Sequence, residues 1–147
     1  MRHLRLILLL AVCLPATCET CPWLNAATAA GVLGGPVNVT VSHTSKNMDD
    51  ANCNFVRQEG PRVHELRIEV GAVAGCRGNT TPLRAIGNEA VACGYDGKNG
   101  QLAEQVVGRV RDRAFLVRMS TNDRSVRPSV LREKARNIAE QVAGTLF

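Results

Sequence analysis

The chain is poor in aromatic residues. They make up 3% of its 147 residues, as one Trp, one Tyr and three Phe. Modules that bind single-stranded nucleic acid depend on stacking bases against aromatic rings, so this composition argues against that class. Hydrophobic residues nevertheless reach 45% and charged residues 21%, which supplies one hydrophobic core and excludes a disordered or fibrous chain. The length is that of a single domain.

The sequence also lacks the patterns that identify a reaction. It has no Gly-x-Ser-x-Gly segment of a nucleophile elbow, and Asp49-Asp50 lacks the alternating spacing of a calcium loop. His43 and His64 follow no catalytic pattern with Ser42, Ser45 or Asp49, and we expect both imidazoles to be exposed, with His64 at the opening of a strand. We therefore predict no catalytic residue, no cofactor and no metal site, and a chain that is not an enzyme.

The first eighteen residues have the organisation of a secretory signal peptide. Residues 1–5 are basic, residues 6–14 form an unbroken apolar run, and residues 15–18 are small or turn-forming. Nine helical residues would span roughly 14 Å, about half the bilayer core, so this run is too short to be a transmembrane span. We predict a signal peptide over 1–18 and a single α+β domain over 19–147 that is secreted, periplasmic or in the cell envelope.

A lipid anchor is the alternative fate of this segment. Cys13 or Cys18 would then carry the lipid at the mature N-terminus. Val12 and Thr17 stand where a lipoprotein signal usually has Gly or Ala, so export without a lipid is favoured.

Cysteine usage fits an oxidising compartment. Six Cys are present, and cleavage after Cys18 leaves four of them, an even number typical of two disulfides in an exported domain. Three pairings are open, and we favour the one in which each bridge closes a predicted supersecondary unit. A redox or zinc role for Cys18-x-x-Cys21 is disfavoured, because this motif straddles the cleavage site and no second ligand pair follows. The favoured bridges are Cys21–Cys53 and Cys76–Cys93.

The mature chain is only weakly basic. Removing Arg2 and Arg5 from 18 basic residues leaves 16 against 13 acidic ones, about +3. This excess is too small for a nucleic-acid footprint, so nucleic acid is not an expected partner. The basic residues are concentrated at 101–147, where nine Arg or Lys accompany five acids.

Three arginines in this region recur at every second position. Arg109, Arg111 and Arg113 have the spacing of one face of a strand, and Arg118 would join them from the partner strand. One interpretation is a face that binds anions or an acidic partner, including phospholipid headgroups. The alternative is a solvated outer face whose arginines cover apolar surface and keep the sheet edge soluble.

Periodicity predicts an α+β fold. A short helix begins after Asn25 and stops at Gly34-Gly35-Pro36, and a C-terminal amphipathic helix begins near Pro128 and runs to about Thr145. Between them we predict an antiparallel sheet of four to six strands, with the last helix packed on one face. A hairpin loop centres on Asp112-Arg113, and residues 81–87 form a helical turn or an extended connector. The predicted strands cover 37–42, 53–57, 65–70, 89–95, 105–111 and 114–120.

Three short motifs carry a resemblance to a known group of proteins. They are Cys21-Pro22-Trp23-Leu24 before a small-residue helix, Cys53-Asn54-Phe55 on a strand, and Ile86-Gly87-Asn88-Glu89-Ala90 before a hairpin. Together they resemble the small secreted or lipid-anchored domains of unknown function found among actinobacterial lipoproteins. The resemblance implies an extracytoplasmic α+β domain and a Cys21–Cys53 bridge, and it implies no activity. The additional pair Cys76 and Cys93 departs from that pattern.

Three functions follow as hypotheses. The leading one is a noncatalytic extracytoplasmic domain that binds a protein partner or a small ligand at the cell envelope. The alternative is a small-molecule or anion-binding protein that uses the arginine-lined sheet face. A small hydrolase is third, because it needs a nucleophile and a base within hydrogen-bond reach, and no sequence pattern supplies them.

The signal peptide makes a first testable prediction. We expect the exported protein to begin at Glu19, because Ala16 and Cys18 place small residues at the −3 and −1 positions. Intact-mass analysis of the protein recovered from the exported fraction measures this directly. A lipid adduct on Cys18, or a chain that keeps Met1, would contradict it.

Overall fold

The protein is described by a computed structural model at residues 19–43, 49–96 and 100–147. The signal peptide predicted over 1–18, and the alternative lipid anchor at Cys13 or Cys18, lie outside these residues. Within the described ranges, no helix is both long and apolar enough to cross a membrane.

One antiparallel sheet of seven strands carries two helices. The sequence predicted the α+β class, the antiparallel sheet and both helices correctly, but it predicted four to six strands. The additional strand, β4, has three residues and contains Pro82, so it is too short to show alternation. The elements in chain order are α1 (Ala26–Leu33), β1 (Asn38–His43), β2 (Ala51–Glu59), β3 (Arg62–Val70), β4 (Thr81–Leu83), β5 (Glu89–Asp96), β6 (Leu102–Val110), β7 (Arg113–Thr121) and α2 (Pro128–Thr145). The strand order is β1-β2-β3-β7-β6-β5-β4.

Both ends of α1 follow from the sequence. The Asn25 side chain accepts a hydrogen bond of 2.8 Å from the Thr28 N–H and caps the first turn. Gly34 ends the helix in the left-handed region at φ 86° and donates to the Ala30 carbonyl. A Cβ at Gly35 would lie 2.7 Å from Arg57 Nε, so the second glycine makes room for a side chain of β2.

The sheet has an inner face, which the helices cover, and an outer face. On β3 the inner face carries Leu66 and Ile68, which are fully buried, while Arg67 between them is exposed on the outer face. The helix α2 buries one stripe of its surface against β6 and β7. That stripe consists of Leu131, Ala135, Ile138, Ala139, Val142 and Ala143.

An ion pair also joins α2 to the inner face. Glu104 on β6 is only 5% exposed, and it accepts two hydrogen bonds of 3.1 Å, one from Nε and one from Nη2 of Arg132. Hydrogen bonding to Glu104 raises the pKa of Arg132. This two-pronged contact fixes where along β6 the first turns of α2 lie.

The two predicted disulfides are present. Cys21 is bonded to Cys53 with a Cα–Cα distance of 5.8 Å, and Cys76 is bonded to Cys93 with 6.0 Å. The first bridge ties the segment before α1 to β2, and the second ties the connector between β3 and β4 to β5. In the chain-entropy account each contributes about 3–4 kcal/mol to the free energy of unfolding. Both bonds are consistent with an oxidising, extracellular location.

A glycine in β6 shapes the inner face. Gly108 lies opposite Phe115 in the β6–β7 pairing, and Phe115 is fully buried. A Cβ on Gly108 would lie 2.5 Å from Cζ of that ring and 3.0 Å from the Glu89 carbonyl oxygen. The aromatic ring therefore lies over the bare glycine backbone, and the core has no space for a methyl group there.

This packing predicts a large effect from a small substitution. Gly108→Ala should lower the free energy of unfolding by about 1–3 kcal/mol, because the added methyl must displace the Phe115 ring or the adjacent backbone. Gly75→Ala is the matched control, since nothing lies within 4 Å of a Cβ at that position. Urea unfolding followed by circular dichroism measures both. Equal midpoints for the two variants would contradict this description of the core.

Candidate functional site

The arginine series does not form one surface. β6 ends at Val110, and β7 begins at Arg113 after a two-residue turn in which Arg111 has φ 55°. Because Val110 pairs with Arg113, Arg113 belongs to the inner face, whereas Arg109 belongs to the outer face. The prediction that Arg109, Arg111 and Arg113 share one side is therefore wrong. The period of two is broken by the turn, which the sequence placed one residue too late.

Arg113 makes contacts that stabilise the fold. Its Cζ lies 5.0 Å from the centre of the Trp23 ring. Its Nη2 donates a 2.6 Å hydrogen bond to the Asp49 carbonyl and lies 3.7 Å from the Asp50 carboxylate. The Trp23 indole is 8% exposed and donates to the Ala51 carbonyl. Arg113 thus closes one end of the core.

Of the four arginines proposed to form one face, Arg109 and Arg118 are the two that share the outer face of the sheet. Arg109 Nη2 lies 3.1 Å from the Glu89 carboxylate. Arg118 Nε donates a 3.1 Å hydrogen bond to Gln105, whose amide in turn lies 3.3 Å from Cys93 Sγ. Because Arg109 is opposite Ala114 and Arg118 is opposite Gln105, four register positions separate the two guanidinium groups. Acidic partners accompany other arginines on this face, as in the 2.6 Å pair of Arg67 and Glu69.

The segment from Ile86 to Glu89 supports the turn between β6 and β7. Ile86 is 1% exposed. The Asn88 side chain accepts a hydrogen bond from the Arg111 N–H, and its own N–H donates to the Arg109 carbonyl. Gly87, at φ 60°, approaches the same carbonyl so closely that a Cβ would lie 2.5 Å away. This motif of the sequence resemblance therefore has a structural role in holding the hairpin tip.

A different basic cluster lies on the inner face. A cavity of about 210 Å³ opens between the end of α1, the β2–β3 hairpin, β7 and α2. We call it the α1–α2 cavity. Its basic lining groups are Arg57, His64 and Lys134, and its apolar wall consists of Val32, Leu33, Met119, Val126 and Leu131.

The two permanent cations of the cavity are held by the end of α1. Arg57 Nη1 donates to the Leu33 carbonyl at 3.1 Å, and Lys134 Nζ donates to the Val32 carbonyl at 2.9 Å. The last carbonyls of a helix have no partner within the helix and carry partial negative charge. Arg57 of β2 and Lys134 of α2 therefore both bond to the C-terminal end of α1. An ammonium group has three donors and a guanidinium five, so both can donate to a further acceptor.

His64 completes the cluster as an uncharged group. Its Nδ1 lies 3.0 Å from the Thr121 hydroxyl. Burial is the largest cause of the lowered pKa of His64, and the charge of Arg57 lowers it further. Asp123 opposes this shift, and the smaller contributions of Lys134 and Glu59 lower and raise the pKa respectively. The lowered pKa favours the neutral imidazole near pH 7, with burial as its main cause.

Sequence reasoning missed this cluster. It predicted that both histidines are exposed, with His64 at the opening of a strand, whereas His64 is half-buried within β3 and His43 ends β1, exposed and 2.9 Å from Glu19. Arg57 and His64 are paired across a hairpin, which their spacing could have indicated. Lys134 joins them only through the packing of α2, and no local pattern reveals that.

No catalytic or metal-binding cluster emerges in the part of the chain that the structure describes. Among the described residues there is no group of three His, Cys, Asp or Glu side chains that could hold a metal ion. Ser42 is exposed on β1, and Ser45 lies outside the described ranges.

The positions of the arginines predict unequal effects on stability. Arg113→Ala should lower the free energy of unfolding by about 1–2 kcal/mol, because it removes a charged hydrogen bond to a backbone carbonyl and the contact with the Trp23 ring. Arg109→Ala is the control and should change it by less than about 0.5 kcal/mol, since its ion pair is half exposed. Denaturant unfolding followed by Trp fluorescence tests both. A larger loss for Arg109→Ala than for Arg113→Ala would overturn this assignment.

Comparison with protein-family models, with curated proteins and with solved structures finds no match for this chain.

Proposed function

We propose that this chain is a noncatalytic extracytoplasmic binding domain whose ligand is a small organic carboxylate held in the α1–α2 cavity. The observation that carries the proposal is the convergence of Arg57, His64 and Lys134 on one cavity with an apolar wall. Such a combination is the usual composition of a small-molecule site, in which a few polar groups orient a ligand that apolar side chains bury. The two disulfides and the resemblance to secreted actinobacterial domains support the location.

Charge favours an anion in this cavity. Arg57 and Lys134 supply two positive charges. The carboxylate paired with Arg57 is that of Glu59, at 2.6 Å, and its side chain is 58% exposed, so it lies in water rather than inside the cavity. A carboxylate placed between the two cations would accept charge-assisted hydrogen bonds from both. Because apolar side chains form the opposite wall, these bonds would be stronger there than in bulk water.

Size limits the ligand. Ligand cavities for drug-sized molecules measure about 300–1,000 Å³, whereas this one measures about 210 Å³. The space corresponds to roughly seven water volumes at about 30 Å³ each. A monocarboxylate with a short aliphatic chain fits these limits, with the carboxylate at Arg57 and Lys134 and the chain against Leu33 and Leu131.

The α1–α2 cavity replaces the arginine-lined sheet face as the proposed anion-binding site. A surface of Arg109, Arg111, Arg113 and Arg118 would require four guanidinium groups on one face, and only Arg109 and Arg118 share one. The leading hypothesis of a protein or ligand partner at the cell envelope is retained, with the cavity as the place where a small ligand binds.

The pKa of His64 provides the test. Bound carboxylate adds negative charge beside the imidazole and stabilises its protonated form, so the pKa of His64 should rise from its lowered value. NMR titration of the imidazole with and without millimolar hexanoate measures the change, and hexanamide is the uncharged control. A pKa that hexanoate leaves unchanged would overturn the proposal.

Two variants on α2 separate binding from folding. Lys134→Gln keeps a donor for the Val32 carbonyl but removes the charge, and it should weaken hexanoate binding at least tenfold. Arg136→Met is the matched control, because Arg136 is 51% exposed and pairs with Glu140. We expect that control to bind like the wild type. Equal binding by Lys134→Gln and the wild type, with both folded by circular dichroism, would exclude the cavity as the site.

A further inference from the structure

The two edges of the sheet differ in how they are protected. β4 has three residues, including Pro82, whose nitrogen cannot donate a hydrogen bond. β1 has six residues, contains no Pro, and pairs with β2 in an uninterrupted register without a bulge. Its one titratable side chain is His43, at the end of the strand. Edge strands normally carry charges, prolines or bulges that prevent pairing with another chain, and β1 carries none of these from Asn38 to Ser42; His43, at its end, lies 2.9 Å from the Glu19 carboxylate.

The composition of β1 also favours strand pairing. Val39, Thr40 and Val41 at its centre are β-branched, the residue class most favourable in strands. Val39 and Val41 are only partly buried against the core. No strand in the described part of the chain covers the outer edge of β1, because β1 is the first strand in the sheet order. The free edge therefore presents backbone donors and acceptors beside half-buried valines.

We infer that β1 is a self-association edge, at which a second copy of this chain pairs antiparallel with the first to make one continuous sheet. A twofold axis perpendicular to the sheet keeps the inner faces of both copies on the same side. Each residue of β1 must therefore lie opposite a residue whose side chain belongs to the same face. The register centred on Thr40 meets this condition and pairs residues 38–42, five of the six residues of the strand. It places Thr40 opposite Thr40 of the second copy, Val39 opposite Val41, and Asn38 opposite Ser42.

This register is self-complementary. On the inner face, the valines of one copy meet the valines of the other and cover their partly exposed apolar surface. On the outer face, the hydroxyl and amide side chains of the two copies meet. No like charges are opposed, because Asn38, Thr40 and Ser42 are uncharged. A six-residue edge is smaller than a standard interface of about 800 Å² per partner, so the expected dimer is reversible and weak, with a dissociation constant in the micromolar to millimolar range.

The inference is independent of the proposed ligand site. The α1–α2 cavity is lined by residues of α1, β2, β3, β7 and α2, and none of them belongs to β1. Dimerisation and carboxylate binding can therefore succeed or fail separately.

Sedimentation velocity over micromolar to millimolar protein tests the association. The wild type should shift from monomer to dimer as concentration rises. Thr40→Lys places two like charges directly opposite each other across the twofold axis and should weaken the dimer at least tenfold. Thr40 is exposed, so this variant should fold, and circular dichroism checks that it does. A wild type that stays monomeric throughout, or a dimer that Thr40→Lys leaves intact, would overturn the inference.

Paired substitutions test the register. Asn38→Glu combined with Ser42→Lys creates two opposite-charge pairs between the copies and should strengthen the dimer. Asn38→Lys combined with Ser42→Lys is the matched control and should weaken it. In addition, Thr40→Cys should form a disulfide-linked dimer under oxidation, because opposed residues of antiparallel strands have Cα atoms about 4.5–5.5 Å apart, within the disulfide range. Failure of Thr40→Cys to cross-link in a dimeric sample would exclude this register.

Discussion

The structure depends on covering one face of a wide antiparallel sheet with little helix. Seven strands present their inner face to an 18-residue helix and an 8-residue helix. α2 covers the β6–β7 side, and α1 lies over β2 and β3. An isolated helix of eight residues is not stable in water, so α1 must be held by tertiary contacts. The Cys21–Cys53 bridge fixes its beginning, and Arg57 and Lys134 bond to the carbonyls at its end.

The same contacts that hold α1 also create the candidate ligand site. Arg57 and Lys134 are drawn together because the unpaired carbonyls of a short helix need donors in an otherwise apolar interior. The two helices do not meet completely over the sheet, and the remaining space is the α1–α2 cavity. Structural capping and the proposed ligand recognition would therefore use one set of side chains, and a ligand carboxylate would add to the anionic partners that these cations already have.

Local rules accounted for much of the fold. The Asn25 cap, the stop at Gly34-Gly35, Pro128 in the first turn of α2 and the alternation in β3 each act over a few residues, and each is present as predicted. The cysteine pairing was also correct: each bridge ties a segment outside the sheet to a strand, Cys21 to β2 and Cys76 to β5. The arginine strand failed for a local reason. Arg111 turns the chain at φ 55°, a conformation that glycine usually marks, so the reversal was placed one residue too late and Arg113 was assigned to the wrong face.

The sequence by itself determined the α+β class, both helices and most of the strands, and it favoured the two disulfides that are present, because periodicity, caps and cysteine count act locally or through simple constraints. Only the tertiary structure decided which basic residues meet. Lys134 and Arg57 are 77 positions apart, and they share a cavity because α2 folds back across β6 and β7. It also decided that β1 is an edge, since a strand's neighbours depend on the order of the whole sheet. Both properties arise from contacts between distant segments, which no short window of sequence contains.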